Sequence, residues 1–242
     1  MVSYRQASLA GESLAAAEFA QLFADPIYYG IGAGRGDGRH VVVLPGLFGN
    51  DWYLYPLRSW LSRLGFRPMR SSLAINAGCP ERLTRQVEQE ITRRLAARPG
   101  PVALIGHSRG GILARAIAAR LGNEASHLIL LGSPVGAIER LAGWPSTGAN
   151  PSHESVVQAS NRARSLLDPD CDVPNCGCPF PTDIKRPLSA STEVVSIYSE
   201  NDPVVPAWSC PMPGARNVQI SGTHTGLVYN GAVYRELAAV LT

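Results

Sequence analysis

No stretch of this 242-residue chain comes near the ~20 consecutive apolar residues that a membrane-spanning helix needs, although 45% of its residues are hydrophobic. Charged residues make up only 17%, and the net charge is +3. The arginines are scattered rather than massed, which argues against a nucleic-acid footprint. The start lacks the basic segment and unbroken apolar core of a secretion signal, because Glu12 and Glu18 fall where that core would lie. It therefore reads as cytoplasmic, and a secreted chain with its leader removed would read the same. Five cysteines are too few for a disulfide scaffold at this length, and they form no C-x-x-C knuckle. Neither an internal repeat nor a low-complexity tract is present.

What is present is an alternation. Residues 8–24 read as a helix, and "GIGAGRGDGRH" as a flexible entry loop. Its glycines precede a strand instead of joining strand to helix, so a dinucleotide-binding turn is not expected. The Arg35-Gly36-Asp37 tripeptide inside it is given no role. "HVVVLPG" (40–46) is a β-branched run closed by Pro and Gly, the mark of a buried strand. A helix is expected over 53–64 and a strand in "RPMRSSL". A further helix opens at Pro80, with Leu83, Val87, Ile91 and Leu95 on one face and a Glu90–Arg94 pair on the other. Strands follow at 101–106, 127–132, 193–199 and 216–221, with helices at 109–121 and 226–241. This rhythm predicts one α/β domain over 1–242, with a mostly parallel sheet of about six strands flanked by helices. Residues 134–188 are too long for a simple connection and are expected to form an inserted cap or lid, kept irregular by Pro and Gly.

At "LIGHSRGG" (104–111) an apolar strand breaks into a histidine, a serine and an arginine framed by glycines. Gly106-His107-Ser108-Arg109-Gly110 fits G-x-S-x-G, a sharp strand-to-helix turn that exposes a strained serine and tolerates only small flanking residues. The alternative is a glycine-rich junction that merely closes a turn. A serine hydroxyl needs a base to take its proton and an acid to orient that base. The loop after strand 193–199 carries Asp202, and the loop after strand 216–221 carries His224, in the order Ser, Asp, His. Singly, each has a bland reading, as a turn-forming Asp-Pro and a surface histidine.

From "VVVLPGLFGN", "LIGHSRGG", "YSENDPVVP" and "SGTHTGL" the chain resembles the α/β-hydrolase family over roughly 40–241, and within it small bacterial serine esterases and lipases. The resemblance implies catalytic Ser108, Asp202 and His224, an oxyanion hole from the Leu47 and Arg109 amides, and ester hydrolysis through an acyl-enzyme with no cofactor and no metal. "PGLFG" replaces the more usual His-Gly, Arg109 is unusual at its place, and the first strands of larger members are missing. The expected partner is a small-molecule or lipid ester. Two other readings stay open: an acyltransferase or thioesterase on the same triad, and a ligand-binding or sensing protein on this fold.

Other candidates are weaker. His107 is expected to pack under the site, and His40, His127 and His153 have no evident partner. Asp172, Asp183 and Glu200 are fallback acids. Phe48 is the expected wall of an acyl pocket, roofed by Leu141 and Trp144, while Trp52, Tyr53 and Tyr55 read mainly as helix core. Cys171, Cys176, Cys178 and Cys210 admit a disulfide pinning the cap to the loop after Asp202, separate thiols, or a four-thiolate zinc site.

Overall fold

The computed structural model describes residues 4–140, 151–171 and 177–242. Six strands are described: β1 (His40–Leu44), β2 (Arg67–Met69), β3 (Val102–His107), β4 (Ala125–Leu131), β5 (Glu193–Tyr198) and β6 (Arg216–Gln219). They form one sheet in the order β2-β1-β3-β4-β5-β6, every pair parallel. The β2 strand is only three residues long, shorter than "RPMRSSL" suggests.

Helices cover both faces. They are α1 (Tyr4–Ala24), α2 (Tyr55–Leu64), α3 (Pro80–Ala97), α4 (Arg109–Leu121), α5 (Val135–Arg140), α6 (Pro151–Leu167), α7 (Phe180–Asp183) and α8 (Gly231–Leu241). Because strand side chains alternate between faces, each buried strand feeds two cores. Val41, Val43, Ala103, Ile105, Ile129 and Leu131 pack against α2 and α8, with Trp60 and Tyr234 at the centre. Val42, Leu44, Leu104, Leu128 and Leu130 pack against α3, α4 and α5. The expected α3 face is in place: Leu83, Val87 and Ile91 are buried, and Arg94 meets Glu90 at 2.8 Å.

Three expectations need correction. The last helix does not run from 226. Residues Thr225–Tyr229 form a 3-10 turn, and α8 starts after Asn230, whose side chain accepts the Ala232 N–H at 2.9 Å. Trp52 and Tyr55 are 76% and 60% exposed, since 51–54 is a turn and the helical period begins only at Tyr55. The excursion between β4 and β5 is not irregular throughout, because α6 is a helix of 17 residues.

That excursion is fastened without a bridge to Cys210. Cys178 is disulfide-bonded, whereas Cys79, Cys171 and Cys210 are thiols, which also breaks up the four-thiolate set. The described fastenings are of other kinds. Asp168, just past α6, accepts the Cys79 N–H at the start of α3 and makes a two-pronged pair with Arg82 at 2.7 and 2.8 Å. Gly136 in α5 lies so close to the chain after Cys210 that an added Cβ would stand 2.0 Å from the Pro211 oxygen.

Trp60 is fully buried and donates from Nε1 to the Ile27 carbonyl at 2.8 Å. Trp60→Ala is expected to cost about 3–5 kcal/mol of folding stability, read by urea denaturation. A loss below 1 kcal/mol (roughly the cost of an ordinary substitution) would contradict this packing.

Candidate active site

The turn between β3 and α4 is built by close backbone approach. Ser108 takes φ 53° and ψ −123°, a conformation costly for a residue with a side chain, and its N–H donates to the Leu131 carbonyl at 2.8 Å. A Cβ on Gly106 would stand 2.4 Å from Gly111 Cα, one on Gly110 2.4 Å from the Leu44 oxygen, and one on Gly111 2.1 Å from Ser133 Oγ. Glycine at these places lets α4 start directly on the carboxyl ends of β1 and β4. The sharp turn delivers Ser108 to that edge of the sheet.

Asp202 and His224 reach the same edge from the ends of β5 and β6. Asp202 Oδ2 lies 2.6 Å from His224 Nδ1, and Oδ1 accepts the N–H groups of Val204 and Val205, each at 2.8 Å. With the carboxylate on Nδ1–H, the tautomer leaves Nε2 as an acceptor. Ser108 and His224 line one cavity of about 480 Å³. Among the described residues they share it without a direct hydrogen bond between hydroxyl and ring.

The loop after β1 forms the opposite wall. The Phe48 N–H is taken by the Asn76 carbonyl, the Gly49 N–H by the Gly46 carbonyl and the Gly46 N–H by Tyr53 Oη. Among the described residues the Leu47 and Arg109 amides have no such acceptor. Phe48, at φ 58° and 49% exposed, lines the cavity, as do Leu47, Val156 and Val204. Leu141 and Trp144, the expected roof, lie outside the described residues, and so does Asp172. From α6, Ser155, Val156 and Ala159 reach the cavity.

The fallback acids are elsewhere. Asp183 is buried against Arg120 at 2.7 Å and Arg186 at 2.5 Å, and Glu200 is exposed. His40 and His127 do have partners, at the opposite ends of their strands: the Arg98 carbonyl for His40, and Arg39 with Glu193 for His127. The side chain of His153 lies outside the described residues.

Sequence reading missed the groups that hold this arrangement. His107 lies directly under the site, as expected, but it is bonded at both ring nitrogens. Tyr53 Oη, receiving the Gly46 N–H, donates to His107 Nδ1 at 3.0 Å, and His107 Nε2–H donates to the His224 carbonyl at 2.9 Å. Burial, reinforced by the nearby His224 ring, lowers the His107 pKa to about 3, and burial pushes the Tyr53 phenol well above its ordinary range. Asn76 donates to the Pro45 carbonyl at 2.7 Å and accepts from Arg109 at 2.9 Å, while Arg109 also donates to the Gly78 carbonyl at 2.6 Å. Arg109 thus ties the first turn of α4 to the loop that carries Leu47. Burial lowers its pKa to about 10, so it stays charged at neutral pH. Neither Tyr53 nor Asn76 sits in a periodic pattern that would single it out.

Accepting from Tyr53 at Nδ1 while donating from Nε2 requires neutral His107. An unfolded histidine takes up a proton near pH 6.5 and the folded one only near 3, so stability falls on acidification through that window, by up to ~1.4 kcal/mol per pH unit. The His107 ring is expected to stay untitrated by NMR from pH 8 down to about 4, against the reference near 6.5. A midpoint near 6.5 would contradict this pair of hydrogen bonds.

Neither a protein-family model nor a curated protein sequence matches the chain. Solved structures do match it. A structure of the metagenome-derived lipolytic enzymes LipS and LipT superposes with a TM-score of 0.53 at 14% identity, covering 86% of this chain and 95% of that one. The type II thioesterase BorB of the borrelidin biosynthetic cluster gives 0.51 at 15% identity, over 86% and 93%. The α/β-hydrolase MGS-MChE2, from sediment of the Mar Chica lagoon in Morocco, gives 0.51 at 15%, over 85% and 91%. Identity this low speaks for architecture alone, and it agrees with the six-stranded parallel sheet: the chain has the α/β-hydrolase fold.

Proposed function

We propose that the protein is a serine carboxylesterase or lipase that cleaves carboxylic esters through an acyl-enzyme. The observation that carries this reading is the 2.6 Å contact between Asp202 and His224 on the cavity that Ser108 enters from a strained turn. His224 Nε2 takes the Ser108 proton as Oγ attacks the ester carbonyl. The Leu47 and Arg109 amides receive the charge that develops on the carbonyl oxygen. The tetrahedral intermediate collapses, the C–O bond to the alcohol breaks, and His224 returns its proton to that alcohol. Water then repeats the sequence on the acyl-serine and frees the acid. Asp202 holds the imidazole in the required tautomer and stabilises the imidazolium. Hydroxyl–imidazole contacts of this kind tighten on substrate binding, so their looseness without substrate is compatible with the role.

The cavity bounds the substrate. Its walls are mainly apolar, with Leu47, Phe48, Val156, Ala159 and Val204 around the serine, which suits an uncharged acyl chain. Residues 134–188 act as a cap in this reading, and α6 supplies the side of the cavity that excludes water. Every step is carried by side chains and amides, so no cofactor is called for.

Ser108→Ala is expected to abolish covalent labelling by a fluorophosphonate probe and to lower kcat for p-nitrophenyl esters by roughly 10⁶-fold, with an unchanged circular dichroism spectrum. Asp202→Asn should lower kcat by roughly 10⁴-fold. Labelling that survives in Ser108→Ala would place the nucleophile elsewhere, and full activity in Asp202→Asn would remove Asp202 from the triad.

A further inference from the structure

Helix α1 adds no strand to the sheet, yet it ends against the loop that carries His224. The Glu18 carboxylate sits in a notch made by Gly222, Thr223 and Gly226. Its Oε1 accepts the Thr223 N–H at 2.9 Å, its Oε2 accepts the Thr223 hydroxyl, and the Thr223 oxygen accepts the Gly226 N–H at 3.1 Å. A Cβ on Gly226 would stand 1.6 Å from Glu18 Oε2, and one on Gly222 3.0 Å from Oε1, so both glycines leave room for the carboxylate. The contact spans 205 residues of sequence and ends on the peptide neighbour of His224. The adjoining Phe19 meets the Tyr229 ring edge-on at 4.9 Å, and Tyr229 Oη donates to the Tyr53 carbonyl at 3.0 Å.

We propose that Glu18 is a positioning residue of the active site. Asp202 fixes the ring of His224 through Nδ1, and Glu18 fixes the backbone just before it. The imidazole is thereby held from two sides on the cavity that Ser108 also lines. On this account a segment outside the sheet completes the triad's geometry. The inference rests on the esterase reading for the meaning of that geometry, but not for the geometry itself.

Glu18→Ala and Glu18→Gln test it. A glutamine still accepts the Thr223 N–H through its carbonyl and can donate its amide to the Thr223 oxygen, whereas alanine does neither. Glu18→Ala is expected to lower kcat by up to roughly 10²-fold with KM within about twofold of wild type, the behaviour of a displaced catalytic group. Glu18→Gln should restore most of the loss. Without any substrate, the far-downfield proton NMR signal of the Asp202–His224 hydrogen bond should broaden or vanish in Glu18→Ala and persist in Glu18→Gln. Glu18→Ala with wild-type kcat and an unchanged downfield signal would overturn the proposal. So would a defect confined to melting temperature or KM. If the wild-type protein turned over no ester, the esterase reading would fall, and the NMR comparison would still decide the role of Glu18.

Discussion

The constraint on which the rest depends is the approach of α4 to the carboxyl ends of β1 and β4. Gly106, Gly110 and Gly111 each stand where a single methyl group would collide with backbone or with Ser133, at 2.1–2.4 Å. Only with those three positions bare does the chain turn within one residue from strand to helix, and that residue is Ser108, held at positive φ. The strain is sustained because its surroundings over-determine it, including the Ser108 N–H bond to the Leu131 carbonyl. The same turn places the Arg109 N–H, which no backbone carbonyl accepts among the described residues, directly after Ser108. In the proposed mechanism the nucleophile and one oxyanion amide are two results of one backbone path.

Around that turn, three loops from distant parts of the chain are knotted together by buried polar groups. Tyr53 and His107 join the loop after β1 to the carbonyl of His224. Arg109 and Asn76 join α4 to the same loop from its other side. Glu18 closes the ring at Thr223. A buried polar network rigidifies only when its members are satisfied, and these are: His107 has a partner at each ring nitrogen, and Asn76 uses both its amide and its backbone. The cost of burying the Arg109 guanidinium is offset by carbonyl oxygens set to receive it.

Much of this was legible in the sequence because it is local. β1, β3 and α4 announce themselves by apolar runs and glycines, and Ser108, Asp202 and His224 by their places after successive strands. The closeness of Asp202 to His224 follows once β5 and β6 lie side by side. The network was not legible, because its pairings link residues 33, 54 and 205 positions apart with no period. Tyr53 packs against the core as expected, but from the turn before α2, where its hydroxyl reaches Gly46 and His107. The cysteine spacing admits a bridge to Cys210 that the fold does not use. Asp168 on the start of α3 and Gly136 against Pro211 are among the described fastenings there. Neither carries a sequence signal, since each depends on which surfaces meet after folding.

In the proposed mechanism Ser108, His224 and the amides of Leu47 and Arg109 act on one reacting carbon. The most direct measurement is a crystal structure of the protein after reaction with a fluorophosphonate, whose phosphorus imitates the tetrahedral centre. Phosphorus is expected on Ser108 Oγ, with its phosphoryl oxygen about 2.7–3.1 Å from both amide nitrogens. A phosphoryl oxygen turned away from Leu47 and Arg109, or an adduct on another residue, would contradict that mechanism.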